Sequence, residues 1–291
     1  MRILDGKKIS QDIKNELKNL VSNRLAKGLK KPHLAAIIVG NDGASLTYVG
    51  SKVKACDYVG YDSTLIQLEE SITEEFLLEQ INKLNSNNSV DGFIVQLPLP
   101  KGIDEQKILL AINPDKDVDG FHPTNFGRMS LEMESFIPAT PYGIIELLDR
   151  YEIETSGKNC VVIGRSNIVG RPISILLSQK SKKGNATVTL AHSKTNNLKS
   201  ITRNADIIIS ALGIPEFLKS DMVKKGVVVI DVGITRVYSE TSPKGYIIKG
   251  DVDYKNVSEK SSAITPVPGG VGPMTISMLL KNTFLACQRK D

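Results

Sequence analysis

Residues 159 to 172 read Asn-Cys-Val-Val-Ile-Gly-Arg-Ser-Asn-Ile-Val-Gly-Arg-Pro. Cys160 to Ile163 is a short apolar run of the buried-strand type, Gly164 breaks it, and a helical signal starts near Gly170. Strand, glycine turn and helix in that order can bind phosphate. The glycine lets backbone N–H groups approach an anion, and the helix N-terminus adds partial positive charge. The spacing departs from G-x-G-x-x-G: Ser166 takes the middle glycine's place and Gly170 comes one residue late. The alternative reading is a tight turn with no ligand. Elsewhere, Tyr48 and Lys52 share one face of a predicted helix. A lysine buried in a cleft can exchange protons, whereas one on a surface helix only lays its stem on a ring. Gln96 stands at the end of a strand-like run, in Val95-Gln96-Leu97-Pro98-Leu99-Pro100. Ligand sites of open α/β sheets form beyond strand C-termini, although a glutamine there is also a common core polar group.

Further residues extend this set. Asp117 and Asp119 lie in the loop-like Asp115–Phe121, where turn chemistry and surface charge are the competing explanations. The ligand types recur at no spacing suited to a metal, so none is expected. Thr265-Pro266-Val267-Pro268-Gly269-Gly270-Val271-Gly272-Pro273-Met274-Thr275 is too rich in Pro and Gly for an ordinary linker, and its glycines allow close backbone approach to a ligand. Past the first glycine loop, Ala186 to Ala191 reads as the next strand and runs into His192-Ser193-Lys194-Thr195. NAD-specific sites carry an acid about twenty residues past the glycines to hold the ribose 2′-OH. Here there is no acid, Arg165 sits in the loop, and hydroxyls follow the strand. That combination favours a 2′-phosphate, hence NADP over NAD. The competing reading makes Arg165 and Lys194 solvated surface charges.

The elements that must position these groups are legible as periodicity. Ile9, Ile13, Leu17, Leu20, Val21 and Leu25 predict an opening amphipathic helix. His33–Gly40, Ser63–Leu68 and Phe93–Leu97 are predicted strands. Helices are predicted from a Ser45 cap to Tyr58, from a Thr73 cap to Leu84, and over Asp104–Ile112. Asn113 to Pro141 reads as loop and as the domain crossing. Pro141 then sits at the start of a helix through Leu148, where proline is tolerated. The strands at Cys160, Ala186, Asp206–Ala211 and Val227–Val232 are Val/Ile-rich, which predicts a parallel sheet covered on both faces. Helices are predicted over Arg171–Gln179 and Leu198–Asn204, and from Val271 through Cys287.

The expected fold is therefore α/β with two domains. Residues 1–138 form the first, with 272–291 returning to it as a C-terminal helix, and 139–271 form a Rossmann-type nucleotide-binding domain. The chain has 291 residues, 41% of them hydrophobic, enough for two ordinary cores. A net charge of +5 without a Lys/Arg block excludes a nucleic-acid stripe. Cys56, Cys160 and Cys287 are scattered and odd in number, which fits thiols in a reducing compartment. No signal-peptide pattern and no membrane-length apolar run is read, so the expectation is a cytoplasmic protein with no membrane partner.

Taken together, Tyr48-x-x-x-Lys52, Val95–Pro100, Asp115–Phe121, Gly164-Arg165-Ser166 with Val169-Gly170-Arg171-Pro172, and Pro266–Thr275 resemble the methylenetetrahydrofolate dehydrogenase/cyclohydrolase family, in order and across essentially the whole chain. The resemblance implies NADP-dependent oxidation of 5,10-methylenetetrahydrofolate and hydrolysis of the methenyl product to 10-formyltetrahydrofolate. It implies Lys52 as the central catalytic group, with Tyr48, Gln96 and Asp119. Tyr48, Lys52, Val95, Gln96, Leu97, Asp119, Pro268, Gly269, Gly270 and Thr275 would contact folate. Gly164, Arg165, Ser166, Ser193 and Ile234 would contact NADP. It also implies a homodimer through the nucleotide domain. A two-domain enzyme such as shikimate dehydrogenase is the nearest rival, but its lysine motif lies elsewhere. A non-catalytic NADP-binding regulator would not need Lys52, Gln96 and Asp119 together. A dehydrogenase with little cyclohydrolase activity remains compatible with the same residues.

Overall fold

A computed structural model describes residues 1–243 and 245–291. In chain order, β1 (Arg2–Ile3) and α1 (Gly6–Ala26) are followed by β2 (His33–Val39), α2 (Gly43–Val59), β3 (Asp62–Leu68), α3 (Glu74–Ser86), β4 (Gly92–Val95) and α4 (Glu105–Ala111). Two helices, α5 (Pro123–Ser130) and α6 (Ala139–Arg150), lead into β5 (Asn159–Ile163), α7 (Gly170–Ser178), β6 (Thr187–Ala191), α8 (Leu198–Arg203), β7 (Ile207–Ser210) and β8 (Val227–Asp231). The chain closes with β9 (Thr235–Tyr238), β10 (Tyr246–Lys249), α9 (Tyr254–Ser258), β11 (Ser261–Ile264) and α10 (Val271–Gln288). Among the described residues, no helix is long and apolar enough to cross a membrane.

The chain divides into two compact units. One comprises Gln11–Ala139 with Ile276–Asp291 and carries Lys52; the other comprises Met1–Ser10 with Thr140–Thr275 and carries the Gly164 loop. The first ten residues belong with Thr140–Thr275 and not with Gln11–Ala139. The reason is backbone pairing: β1 adds to β11 as a parallel edge strand, Arg2 opposite Ala263 and Ile3 opposite Ile264.

In the Lys52 unit, the sheet runs β3-β2-β4, all parallel. β2 is central, so His-Leu-Ala-Ala-Ile-Ile-Val is almost wholly buried, as expected of a strand covered on both faces. Ala35, Ile37, Phe93 and Val95 form one core with Leu77 and Ile81 of α3 and Ile108 of α4. Its helices start where short polar side chains satisfy free N–H groups. Thr73 accepts from Phe76 N at 3.2 Å, and Asp104 accepts from Gln106 N and Lys107 N. The start of α2 differs from the sequence reading. Asp42 is the cap, accepting from Ser45 N at 2.8 Å, because its carboxylate reaches the first turn while Ser45 lies inside it. The stretch read as loop also contains α5, which proline does not prevent because Pro123 occupies the first turn, where its missing N–H is not needed.

The Gly164 unit is built on a six-stranded parallel sheet, β1-β11-β8-β7-β5-β6. Val161, Ile163, Ile208, Val229 and Ile264 line one face and pack with Leu218, Val252 and Val257. The Val/Ile-rich segments thus form the parallel sheet their composition calls for. The β9–β10 hairpin was not legible in the sequence.

Candidate active site

The lysine site is assembled from the end of one strand, one helix and one loop. On α2, Val49 and Cys56 are buried and Lys52 is only 4% exposed, so the helix turns its lysine into protein. Lys52 Nζ donates to Gln96 Oε1 at 3.1 Å and stands 4.5 Å from the centre of the Tyr48 ring, one turn back. Gln96 lies just past β4, where its backbone N–H still donates to Ile37 O at 2.8 Å, while its amide nitrogen donates to Leu97 O at 2.7 Å. Both amide ends of the glutamine are therefore fixed, and its oxygen faces the amine. Val95 is buried, whereas Leu97 is half-buried and enters a cis Leu97–Pro98 peptide.

Electrostatics complete this site. Burial lowers the Lys52 pKa below the usual lysine value, and the Asp119 carboxylate pulls it partly back up. The Asp119 carboxyl is itself raised by burial, with Lys52 acting the other way. Asp119 is half-buried, and its carboxylate makes no hydrogen bond to any described residue. Asp117, two residues earlier, has another job. It is 1% exposed and accepts from Phe121 N at 3.2 Å, His122 N at 2.8 Å and Asn125 Nδ2 at 2.9 Å. It staples the loop, and burial pushes it up to about 7 against those hydrogen bonds. The neutral amide at Gln96 matters here. It orients the amine without the second negative charge that would hold a proton on it.

The glycine loop is built from backbone. Gly164 has φ +114°, and a Cβ there would fall 2.2 Å from Ala211 O. A Cβ at Gly170 would fall 2.0 Å from Gly164 O. The two glycines thus let the loop press against the residue that follows β7 and fold tightly onto the start of α7. Ser166, read from the sequence only as a phosphate contact, also ties the turn before α7: its Oγ accepts from Val169 N at 3.2 Å and Gly170 N at 3.3 Å. Arg165, Ser193 and Lys194 are exposed. The turn after β6 is held locally, His192 N donating to Thr195 Oγ1 at 2.8 Å and Lys194 N to His192 Nδ1 at 3.2 Å. A tight glycine turn, an exposed cation and a helix N-terminus fit the phosphates of a dinucleotide.

Beyond β8 in this unit, a cavity of about 140 Å³ is lined by Asp231, Ile234, Pro266, Pro268, Gly270 and Pro273 among others. Ile234 is 61% exposed. Gly269 has φ +108°, and a Cβ on Gly270 would fall 2.6 Å from Pro266 O. Gly6 belongs to the same packing: its Cβ would lie 1.7 Å from Gly270 O, and Lys7 N donates to Gly269 O at 2.9 Å. Thr275 Oγ1 lies 2.9 Å from Thr140 Oγ1. Gly6 and Thr140 carry no sequence motif that would have revealed them. Asp231 is 3% exposed and accepts from the N–H groups of Gly233, Asp251 and Val252; burial raises it to about 7. The structure thus brings Tyr48, Lys52, Val95, Gln96, Leu97 and Asp119 into one unit, and the glycine loop, Ser193, Ile234, Pro268, Gly269, Gly270 and Thr275 into the other. Among the described residues, no group of three or more His, Cys, Asp or Glu could hold a metal ion.

A parallel sheet with a dinucleotide-type glycine turn, in a chain that also buries a lysine against a glutamine and an aspartate, defines a nucleotide-dependent α/β enzyme. Residues 4–119 match the family model of the tetrahydrofolate dehydrogenase/cyclohydrolase catalytic domain, and residues 138–291 match that of its NAD(P)-binding domain. The bifunctional protein FolD of Flavobacterium johnsoniae is 70% identical over 98% of this chain and 97% of its own. The crystal structure of the bifunctional FolD enzyme from Campylobacter jejuni superposes with a TM-score of 0.93 at 50% identity, covering 100% of both chains. The Trypanosoma brucei methylenetetrahydrofolate dehydrogenase-cyclohydrolase, complexed with NADP cofactor and inhibitor, gives 0.94 at 37% identity over 99% of this chain and 97% of that one. The chain belongs to the tetrahydrofolate dehydrogenase/cyclohydrolase family. It is a bifunctional methylenetetrahydrofolate dehydrogenase and methenyltetrahydrofolate cyclohydrolase of one-carbon metabolism.

Proposed function

We propose that Lys52 is the central catalytic group of this enzyme. The observation that carries this reading is the hydrogen bond from its buried amine to Gln96. The cofactor is NADP, and when bound it supplies the acceptor for the hydride leaving the methylene carbon. Gly164, Arg165 and Ser166 hold its phosphate groups, Arg165 reaching the 2′-phosphate with Ser193 adding a contact to it, and Ile234 touches its nicotinamide half. The absence of an acid in His192–Thr195 and the exposed Arg165 support NADP over NAD.

Hydrolysis requires a water to add to the cationic methenyl carbon and a proton to reach the departing ring nitrogen. An amine whose pKa is lowered by burial can accept a proton from that water as its oxygen bonds to the carbon, and return it to the ring nitrogen as the carbon–nitrogen bond breaks, the remaining hydroxyl proton passing to solvent as the formyl C=O forms. Gln96 orients the amine through Oε1. Tyr48 holds Lys52 and packs on the aminobenzoate ring. Asp119, with an uncommitted carboxylate, accepts from adjacent N–H donors of the pterin edge. Val95, Leu97, Pro268, Gly269, Gly270 and Thr275 are the remaining folate contacts. The Lys52 unit serves as the folate domain and the Gly164 unit as the nucleotide domain.

We assign the protein to the cytoplasm, a reading supported by three buried thiols, none in a disulfide. We also assign it as a homodimer. β6 is an outermost strand of its sheet, with Val188 and Leu190 only half-buried, and such edges favour pairing with another copy.

The direct test supplies 5,10-methylenetetrahydrofolate with NADP or NAD, and authentic methenyltetrahydrofolate alone, to wild type and Lys52→Ala. NADP-dependent turnover by wild type, with hydrolysis lost in the variant, is expected. Hydrolysis undiminished in folded Lys52→Ala would refute the role of the lysine.

A further inference from the structure

Asp119 is held by its backbone from two sides. Its own carbonyl accepts from Ala139 N at 3.3 Å, and the preceding carbonyl, of Val118, accepts from Asn282 Nδ2 at 2.8 Å. The same Asn282 nitrogen donates to Ile137 O at 2.9 Å. One amide group on α10 therefore ties together the segment carrying Asp119 and the segment leading to Ala139. The two segments are already close, since a Cβ on Gly120 would fall 2.7 Å from both Ile137 C and Pro138 N. A buried carboxamide supplies two donors from one nitrogen, which suits two converging carbonyls.

Asn282 is itself well fixed. It is 2% exposed, on a helix whose Met278, Leu279 and Ala286 are also buried. Tyr61 OH donates to Leu280 O at 3.0 Å, Lys290 pairs with Asp91 at 3.2 Å, and the Arg289 guanidinium lies 4.4 Å from the centre of the Phe136 ring. The Arg24 guanidinium grips both oxygens of Asp291. A helix end anchored this way can act as a fixed post for the Asp119 loop.

We infer that Asn282 is a positioning residue, setting the Asp119 carboxylate for folate through the backbone of Val118 and Ile137. The inference rests on the assignment of Asp119 to folate recognition. Removing the amide leaves two carbonyls without their donor and frees the loop, while Lys52 and Gln96 keep their own contacts. Folate binding should suffer more than turnover, and NADP binding should not change.

The test is a double-mutant cycle on the full-length enzyme with Asn282→Ala and Asp119→Asn, reading KM for 5,10-methylenetetrahydrofolate, KM for NADP and kcat. Asn282→Ala is expected to raise folate KM roughly 5- to 20-fold, to change kcat less than about threefold, and to leave NADP KM unchanged. In the Asp119→Asn background the same change should raise folate KM less than about twofold, because the group being positioned is already impaired. An equal rise in both backgrounds, a parallel rise in NADP KM, or no rise at all would overturn the inference. If Asp119→Asn alone leaves folate KM unchanged, the assignment of Asp119 fails instead, and the two failures are thereby told apart. Should Asn282→Ala not fold, the same cycle is run with Asn282→Ser, which keeps one donor, and the same outcomes decide.

Discussion

The Lys52 site and the glycine loop achieve function by opposite means. The first is made of side chains taken out of water: Lys52 is 4% exposed, its amine is fixed by Gln96, and burial lowers its pKa. The second is made of backbone: Gly164 and Gly170 remove side-chain volume so that the loop can fold tightly, and the charged Arg165 stays exposed. Chemistry that moves a proton needs a group whose proton affinity has been adjusted, and burial adjusts it. Binding an anionic cofactor needs N–H groups and a solvated cation, and neither requires an adjusted pKa. Substitutions in the first site should therefore change rate, and substitutions in the second should change cofactor affinity or loop integrity.

The largest effect is expected from Lys52→Ala. Losing a positioned acid–base group costs about 10²- to 10⁴-fold, so cyclohydrolase kcat should fall by at least about 100-fold with NADP affinity unchanged. Binding of NADP by the variant, followed by fluorescence titration, checks that the two sites are separable. Next comes Gly164→Ala. Positive φ and the 2.2 Å approach to Ala211 O make any side chain strained, at a cost of about 1–3 kcal/mol. Its melting temperature should drop and its NADP KM should rise, whereas Gly28→Ala, at φ +73° with open space around it, should perturb only stability.

A carboxylate in place of Gln96 acts on the rate in a pH-dependent way. Lys52 is charged below its pKa and neutral above it, and hydrolysis uses the neutral amine. Gln96→Glu adds negative charge at hydrogen-bond distance, which raises the lysine pKa. Cyclohydrolase activity near neutral pH should therefore fall roughly tenfold or more. Removing the Asp119 charge with Asp119→Asn should move the limb the other way, because that carboxylate pulls the lysine upward. The smallest effect is expected from Arg165→Ala. One exposed ionic contact contributes up to about 1 kcal/mol, so NADP KM should rise up to roughly fivefold while KM for NAD barely changes, narrowing the preference between them.

The same contrast explains what could be read from the sequence. Lys52 and Tyr48 were legible because helical spacing puts them on one face, and Gly164 because an apolar strand run ends on it. The parallel sheet followed from the Val/Ile-rich runs. Long-range pairing was not legible: β1 is two exposed residues whose partner β11 lies at the far end of the chain, and no local pattern encodes that contact. Helix α5 hid within a Pro/Gly-rich stretch because composition does not reveal that Pro123 sits in a first turn. The cap at Asp42 was displaced to Ser45 in the sequence reading because both residue types cap helices. Ser166 also fixes the turn before α7, a role that its place in the glycine motif obscures. Asn282 did leave a trace, as an amide within an apolar helix, but only the converging carbonyls of Val118 and Ile137 give it meaning.

The central claim is that burial and a neutral hydrogen-bond partner set the proton affinity of Lys52. Its most direct test is the pH dependence of methenyltetrahydrofolate hydrolysis by wild type and Gln96→Glu, measured side by side and corrected for uncatalysed hydrolysis. The wild-type limb should rise with pH at a midpoint below the ordinary lysine value of 10.5 and be displaced upward in Gln96→Glu. Superimposable profiles for the two proteins, at any absolute rate, would contradict it.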